Sequence, residues 1–296
     1  MARSTDREVR QVLVITFLLN LAVCGAKLVY GFLTRSLSLQ ADGFHSLLDS
    51  SSNIVAMIGI ILAAKPPDIE HPYGHRKIET LAALGISFLL FATGYEIVTS
   101  VVERIKHPAI PQVHYLSFVI MSVTVAINFW VSTYEMKKGL SLKSDLLTAD
   151  SLHTRSDIFV SLSVIGSFVA VLLNAVFLDA VIAGGIILFI VYAAFRIMHR
   201  SLNVLLDAQP MDPAGIEQIV KAIPGILLCH KIRTRGTSNG VFVDFHIHVN
   251  PLMTLEDAHS LTHRVIREVK EKYPEIVDVV IHTEPAYLTK AHKIGN

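Results

Sequence analysis

The feature that most constrains this chain is a recurring apolar run long enough to cross a lipid bilayer. A spanning helix needs roughly 20 such residues at 1.5 Å rise per residue. By that criterion six segments qualify, at about 11–33, 38–64, 78–104, 113–136, 145–173 and 177–198. Helices are expected because the bilayer core offers no water to satisfy backbone polar groups. Composition agrees: 52% of the 296 residues are hydrophobic and 17% charged, against about 25% charge in soluble domains. The net charge of +1 gives no basis for a nucleic-acid partner. Cys24 sits in an apolar run and Cys229 far downstream, which argues against a disulfide framework. The opening MARSTDREVRQ is charged and enters the first run without a small-residue cleavage site, so that run is expected to be a retained span.

Basic residues set the orientation. Arg3, Arg7, Arg10, Lys65, Arg76, Lys77, Lys137, Lys138, Lys143, Arg196 and Arg200 fall on one side of the six spans, and Arg35, Arg104 and Lys106 on the other. The positive-inside rule then puts both termini in the cytoplasm; a multi-pass protein of the inner (plasma) membrane is the expectation.

After NVLLDAQPMDP the pattern changes. Asp212-Pro213 predicts a helix start and Pro224-Gly225 its stop. Residues 241–249, VFVDFHIHV, alternate as a strand with Val241, Val243, Phe245, Ile247 and Val249 on one face and Phe242, Asp244, His246 and His248 on the other. Thr254 is placed to cap a helix with the apolar stripe Leu255, Ala258, Leu261, Val265, Ile266 and Val269. VDVVIHTE supplies a last strand. The expected architecture is an all-α six-helix transmembrane domain over residues 1–207. A small cytoplasmic α+β domain follows over 208–296, in the ferredoxin-like order αββαβ.

The second and fifth apolar runs carry the chemistry. His45 and Asp49 are four residues apart and share a helix face; His153 and Asp157 repeat that spacing on the fifth. The two spans run antiparallel, and both pairs fall near the middle of the bilayer. Two imidazoles and two carboxylates make a tetrahedral donor set that Zn²⁺ accepts. Such donors also suit cobalt and iron, whereas Mg²⁺, Ca²⁺ and Mn²⁺ favour oxygen alone. A single pair can equally be a hydrogen-bonded tie between helices. Two copies at matching depth favour a metal site, since ionisable residues inside a membrane mark function. Asp42 and Asp150 precede the pairs by one turn and are candidates to line access routes; Ser50, Ser51 and Ser52 read as small packing residues.

The paired H-x-x-x-D motifs, six spans and histidine-bearing tail resemble the cation diffusion facilitator family of divalent-metal/proton antiporters. The resemblance implies that His45, Asp49, His153 and Asp157 form the transport site. It also implies efflux of Zn²⁺, with Cd²⁺, Co²⁺ or Fe²⁺ as further cargo, by alternating access in exchange for protons. The histidine at 45 leans towards zinc over manganese. An intramembrane metal-dependent hydrolase would show an H-E-x-x-H or a Glu beside its ligands, and neither occurs here. A membrane-bound metal sensor would leave the intramembrane tetrad unexplained.

Two further clusters stand outside the bilayer. In PPDIEHPYGHRK, Asp68, His71 and His75 can hold a metal or simply face solvent, and spacing leaves both open; the resemblance implies a secondary metal site. In the tail, His246 and His248 share one strand face, and His282 and Glu284 another. The resemblance implies a regulatory metal on His230, His246, His259, His282 and Glu284, near the interface of a homodimer; His248 and His263 have no counterpart in that pattern. Strict alternation would place His230 with Ile226, Leu228 and Ile232. Lys77 and Asp207, read alone, are a snorkelling lysine and a turn aspartate; the resemblance implies a charge interlock between the two domains.

Overall fold

The structure, a computed structural model, describes residues 2–33, 37–106, 115–172 and 176–286. The chain divides into two compact units, Met1–Leu202 and Asn203–Asn296. The first is built from α1 (Ala2–Leu33), α2 (Leu37–Ala63), α3 (Lys77–Lys106), α4 (Tyr115–Ser141), α5 (Asp145–Leu172) and α6 (Val176–Leu205). Helix and apolar run coincide closely for α2, α3 and α5. At α1 the helix begins some nine residues before the apolar run, because charged residues continue a helix as well as apolar ones do; hydropathy marks entry into lipid, not the start of the helix.

Among the described residues three helices are long and apolar enough to cross a membrane on composition alone: Arg7–Tyr30, Lys77–Thr99 and Gly184–Leu205. They belong to α1, α3 and α6. Leu13, Ile60, Ile86, Leu90, Leu146 and Ile190 are fully or almost fully buried and knit α1, α2, α3, α5 and α6 into one core. Gly59 lets α2 and α3 approach: a Cβ there would lie 2.3 Å from that of Ala82. Lys143, at φ 51°, breaks the path between α4 and α5, and the Ser144 hydroxyl then accepts from the Leu147 N–H to start α5.

The second unit comprises α7 (Pro213–Ala222), β1 (Leu228–Thr237), β2 (Gly240–Val249), α8 (Leu255–Lys272) and β3 (Ile276–Pro285), the expected αββαβ order. The sheet order is β1-β2-β3, with β1 antiparallel and β3 parallel to the central β2. Both helix caps form as the sequence predicts: Asp212 accepts from the Ala214 N–H at 3.0 Å, and Thr254 from the Asp257 N–H at 3.1 Å. Val243, Phe245 and Ile247 of β2 are buried with Ile216, Val220, Leu261, Val265 and Val269 of the two helices. One expected core residue is not there. Leu255 is 87% exposed, because it occupies the first helical position, ahead of the turn that meets the sheet.

Candidate metal centres

In the helical unit, α5 presents His153, 3% exposed, and Asp157 one turn later. Ser156 steadies this turn: its hydroxyl donates to the His153 carbonyl at 2.6 Å and lies 3.3 Å from Asp157 Oδ1. The backbone of α2 carries His45 and Asp49, whose side chains, with those of Asp42 and Ser51, lie outside the described residues. A cavity of about 30 Å³ opens between the helices, lined by His153, Thr154 and Asp157 of α5 and by Ser46, Ser50 and Ser52 of α2, with Asn20 of α1 and Asn128 of α4. That is room enough for water or a small ion. Ser46 and Ser50 directly follow His45 and Asp49 in the chain, so the α2 turn that bears the motif is the one at the cavity. The serines expected only to pack are therefore part of its wall.

Polar groups bind this region together. Asn20 donates to Asn53 Oδ1 at 2.9 Å, and Asn53 donates to Asp150 Oδ2 at 2.7 Å, which ties α1, α2 and α5 into one chain of hydrogen bonds. Asp150 is fully buried in this network, so it acts as a tie between helices and not as the access-route residue the sequence suggests.

Two ionisable groups here escaped the reading of the sequence. Glu135 of α4 is fully buried; its Oε2 is 3.4 Å from the Thr154 hydroxyl, and its Oε1, like Asp150 Oδ1, has no hydrogen-bond partner among the described residues. Lys27 of α1 is 3% exposed and donates to Ser46 Oγ at 2.8 Å. Each was legible as a charged residue inside or at the end of an apolar run, which is a signal of function in its own right.

The loop after α2 brings Asp68, His71 and His75 together, with one ligand atom from each within 4.8 Å of the others. His71 Nδ1 lies 3.4 Å from Asp68 Oδ1, and His75 Nε2 lies 3.4 Å from Asp68 Oδ2. The His71 backbone N–H donates to Asp68 at 2.7 Å and, with the two imidazoles, holds its carboxyl below the usual range. Gly74, at φ 83°, makes the turn that returns His75 to Asp68. His75 is buried while Asp68 and His71 face solvent, and Glu70 stays outside the group.

In the α+β unit the ligands gather on the sheet face opposite the helices. Register aligns His246 with His230 on one side and with His282 on the other, and His248 with Glu284. Glu284 is the hub. Its Oε2 lies 2.9 Å from His248 Nε2 and 3.5 Å from His230 Nε2; its Oε1 lies 2.7 Å from His246 Nδ1 and 3.6 Å from His282 Nε2. Two ligand triads therefore share one carboxylate. The hydrogen bond from His246 holds Glu284 at about 2, far below the ordinary carboxyl value, while partial burial lowers His230. Both triads offer two imidazoles and a carboxylate oxygen, a donor set that fits Zn²⁺ with a position left open.

His230 reaches this face because β1 is irregular. The register shifts between His230 and Arg233, with Lys231 at φ 52°. The extra residue sends Ile232 towards the core and leaves His230 on the ligand face, which strict alternation cannot do. His248, without a counterpart in the expected pattern, completes the first triad. His259 is not brought in: it sits on the exposed side of α8, with its Nε2 3.1 Å from that of His263. Lys77 opens α3 in the first unit, and Asp207, at φ 57°, follows α6 in the second.

Residues 13–206 match the cation efflux transmembrane domain, and residues 209–286 match the cytoplasmic domain of cation efflux proteins. The chain belongs to the cation diffusion facilitator family of cation-efflux transporters. That membership places it among membrane transporters, not enzymes. It is 32% identical to metal tolerance protein C1 of Arabidopsis thaliana over 89% of this chain, and spans 59% of that longer protein. It is 30% identical to the cation-efflux pump FieF of Shewanella oneidensis, covering 88% of each chain. To the manganese efflux system protein MneS of Bacillus subtilis it is 28% identical, over 90% of this chain and 91% of that one. Among solved structures, the metal-bound C-terminal domain of the CzcD transporter from Thermotoga maritima is 27% identical, at a TM-score of 0.24, over 27% of this chain and all of that one.

Proposed function

We propose that the protein exports divalent transition metals from the cytoplasm, Zn²⁺ foremost and Cd²⁺, Co²⁺ or Fe²⁺ through the same donors, in exchange for protons. His45, Asp49, His153 and Asp157 bind the cargo. The observation that carries this reading is the cavity in which His153 and Asp157 meet the α2 turn bearing the other motif. Related efflux proteins include two named for manganese. Imidazole from both helices argues for softer metals here, since Mn²⁺ prefers oxygen.

Moving two positive charges outward against about 100 mV costs about 4.6 kcal/mol, at about 2.3 per charge. A passive pore would admit the metal, so export needs coupling. The site supplies it, because binding requires neutral imidazoles and ionised carboxylates and so displaces protons. Cytoplasmic metal displaces protons from the tetrad, the bundle turns outward, and external protons displace the metal. His45 and His153 carry the protons, and the aspartates hold charge and geometry.

On this reading residues 1–207 form the transport domain in the inner membrane, with both termini cytoplasmic. Residues 208–296 form a regulatory domain that binds metal and pairs with a second copy of the chain. Asp68, His71 and His75 form a secondary loop site, and Lys77 and Asp207 join the two domains as a charge interlock.

Metal flux in proteoliposomes with an imposed pH gradient tests the proposal. Zn²⁺ flux that rises with the gradient and collapses with a protonophore is expected; flux indifferent to the gradient would reject proton coupling. His45→Asp tests the selectivity. It makes the donor set richer in oxygen, so transport of Mn²⁺ and Fe²⁺ should gain on Zn²⁺. An unchanged metal ranking would move selectivity to another part of the protein.

A further inference from the structure

The start of α1 and the end of α4 enclose a second cavity, of about 740 Å³, which shares no lining residue with the transport cavity. Its two walls carry the same gradient. On α1, Arg7, Arg10 and Gln11 lie at the outer end and Val14 and Ile15 at the inner end, at the i, i+3, i+4, i+7, i+8 spacing of one helix face. On α4, Lys138 lies one turn outward of Tyr134. One turn further in, the Trp130 ring stacks on Tyr134, with centroids 5.3 Å apart and planes at 6°. Both walls therefore pass from cations to apolar and aromatic surface in the direction that enters the membrane. Val14 is 38% exposed, Ile15 44% and Trp130 53%, so the inner half of the groove is open to an apolar occupant.

Scattered cations at a membrane boundary need no ligand, because orientation and snorkelling account for them. These cations converge from two helices on one cavity. Among the described residues Arg7 and Arg10 have no acidic partner, and Lys138 reaches only Glu8, at 3.8 Å with both side chains exposed. Such a pairing is worth little. Three cations against one carboxylate leave the groove doubly positive at its outer end. We propose that the groove binds an anionic phospholipid. Its phosphodiester lies against Arg7, Arg10 and Lys138, and an acyl chain runs along Val14, Ile15 and the Tyr134–Trp130 stack.

The chemistry selects this occupant. Guanidinium groups match the paired oxygens of a phosphodiester. A zwitterionic headgroup brings its own ammonium to the same three cations and gains less. Free phosphate would meet the cations but leave the apolar half of the groove without an occupant. The bound lipid bridges α1 and α4, the helices that also contribute Asn20 and Asn128 to the transport cavity. Each basic residue facing an anionic lipid contributes roughly fivefold in binding.

The experiment is native mass spectrometry of the full-length protein in neutral detergent, titrated with phosphatidylglycerol, phosphatidylcholine or inorganic phosphate, with thermal unfolding recorded alongside. The wild type should bind phosphatidylglycerol in preference to phosphatidylcholine and unfold at a higher temperature in its presence, by mass action. Arg7→Gln combined with Arg10→Gln should weaken phosphatidylglycerol binding about twentyfold or more, and Lys138→Gln about fivefold. Lys65→Gln removes a cation from the same side of the spans but outside the groove, and should leave binding unchanged. Lys138→Gln carries the test where the double variant does not fold. Equal binding of the two lipids, or an equal loss in Lys65→Gln, overturns the proposal and reduces the cations to general surface charge. Inorganic phosphate that displaces the lipid at matching concentration also overturns it, making the groove a site for free anions.

Discussion

Replacing Asp157 with alanine, or Asp49 with alanine, is expected to abolish metal flux in a protein that still folds. The physical reason is the loss of a ligand charge. In a cavity lined by His153, Asp157 and the hydroxyls of Ser46, Ser50 and Ser52, each ligand carboxylate removed takes away negative charge that a dication needs in a medium of low dielectric. Breaking such a buried pairing by removing one partner costs roughly 3–5 kcal/mol, or more than a hundredfold in binding. The fold should survive, because the hydroxyl of Ser156 keeps its 2.6 Å bond to the His153 carbonyl and the α5 turn stays closed. Transport assays on purified variants, with helicity and thermal unfolding recorded alongside, give the answer. Near-normal flux through both variants would exclude the tetrad from the mechanism.

The paired motifs are easier to read in the sequence than the residues around them, and the reason is physical. Charged residues in apolar runs are costly, so the paired H-x-x-x-D motifs stand out against a background that excludes them. The same rule covers Lys27 and Glu135, but neither recurs at a motif spacing, so neither stands out as the paired motifs do. Alternation in β2 settled which face His246 and His248 occupy, because one face of that strand had to meet the helices. His230 was not legible in this way: a single bulge before Arg233 reverses the parity of the strand, and nothing in LCHKIRTRGT announces it. The shared role of Glu284 was equally hidden, since it depends on the register of β3 against β2 and not on any spacing along the chain. Leu255 shows the converse error, in which a periodic stripe was extended one position past the turn where packing begins.

The tail gives the second large effect. Because both ligand triads depend on the oxygens of Glu284, Glu284→Ala should remove both sites at once, whereas His282→Ala should remove only the one completed by His246. Changes to groups that merely orient a ligand already cost roughly 10–100-fold in metal affinity. Loss of the shared carboxylate should therefore exceed about a hundredfold, read as loss of the tail's share of the metal binding that persists in His153→Ala, the share of the Asp68, His71 and His75 site remaining. The effect on transport is one of regulation. A tail that biases two arrangements of the protein shifts flux only by the metal's differential affinity for them. The dependence of rate on cytoplasmic metal should then flatten or move to higher concentration, while the metal ranking set by the tetrad is unchanged. The pH dependence separates the two kinds of ligand. Glu284 is held at about 2, chiefly by its hydrogen bond from His246, so it remains a carboxylate at any working pH. Its contribution to stability is complete above the ordinary value of 4.5 and is lost only as the pH falls towards 2. Metal binding must weaken much earlier on acidification, because metal competes with protons for the imidazoles near about pH 6.5. Partial burial lowers the proton affinity of His230. Tail binding that stayed constant from about pH 7 to pH 5 would contradict imidazole ligation. Complete loss of transport in folded Glu284→Ala at saturating metal would make the tail an obligatory part of the cycle.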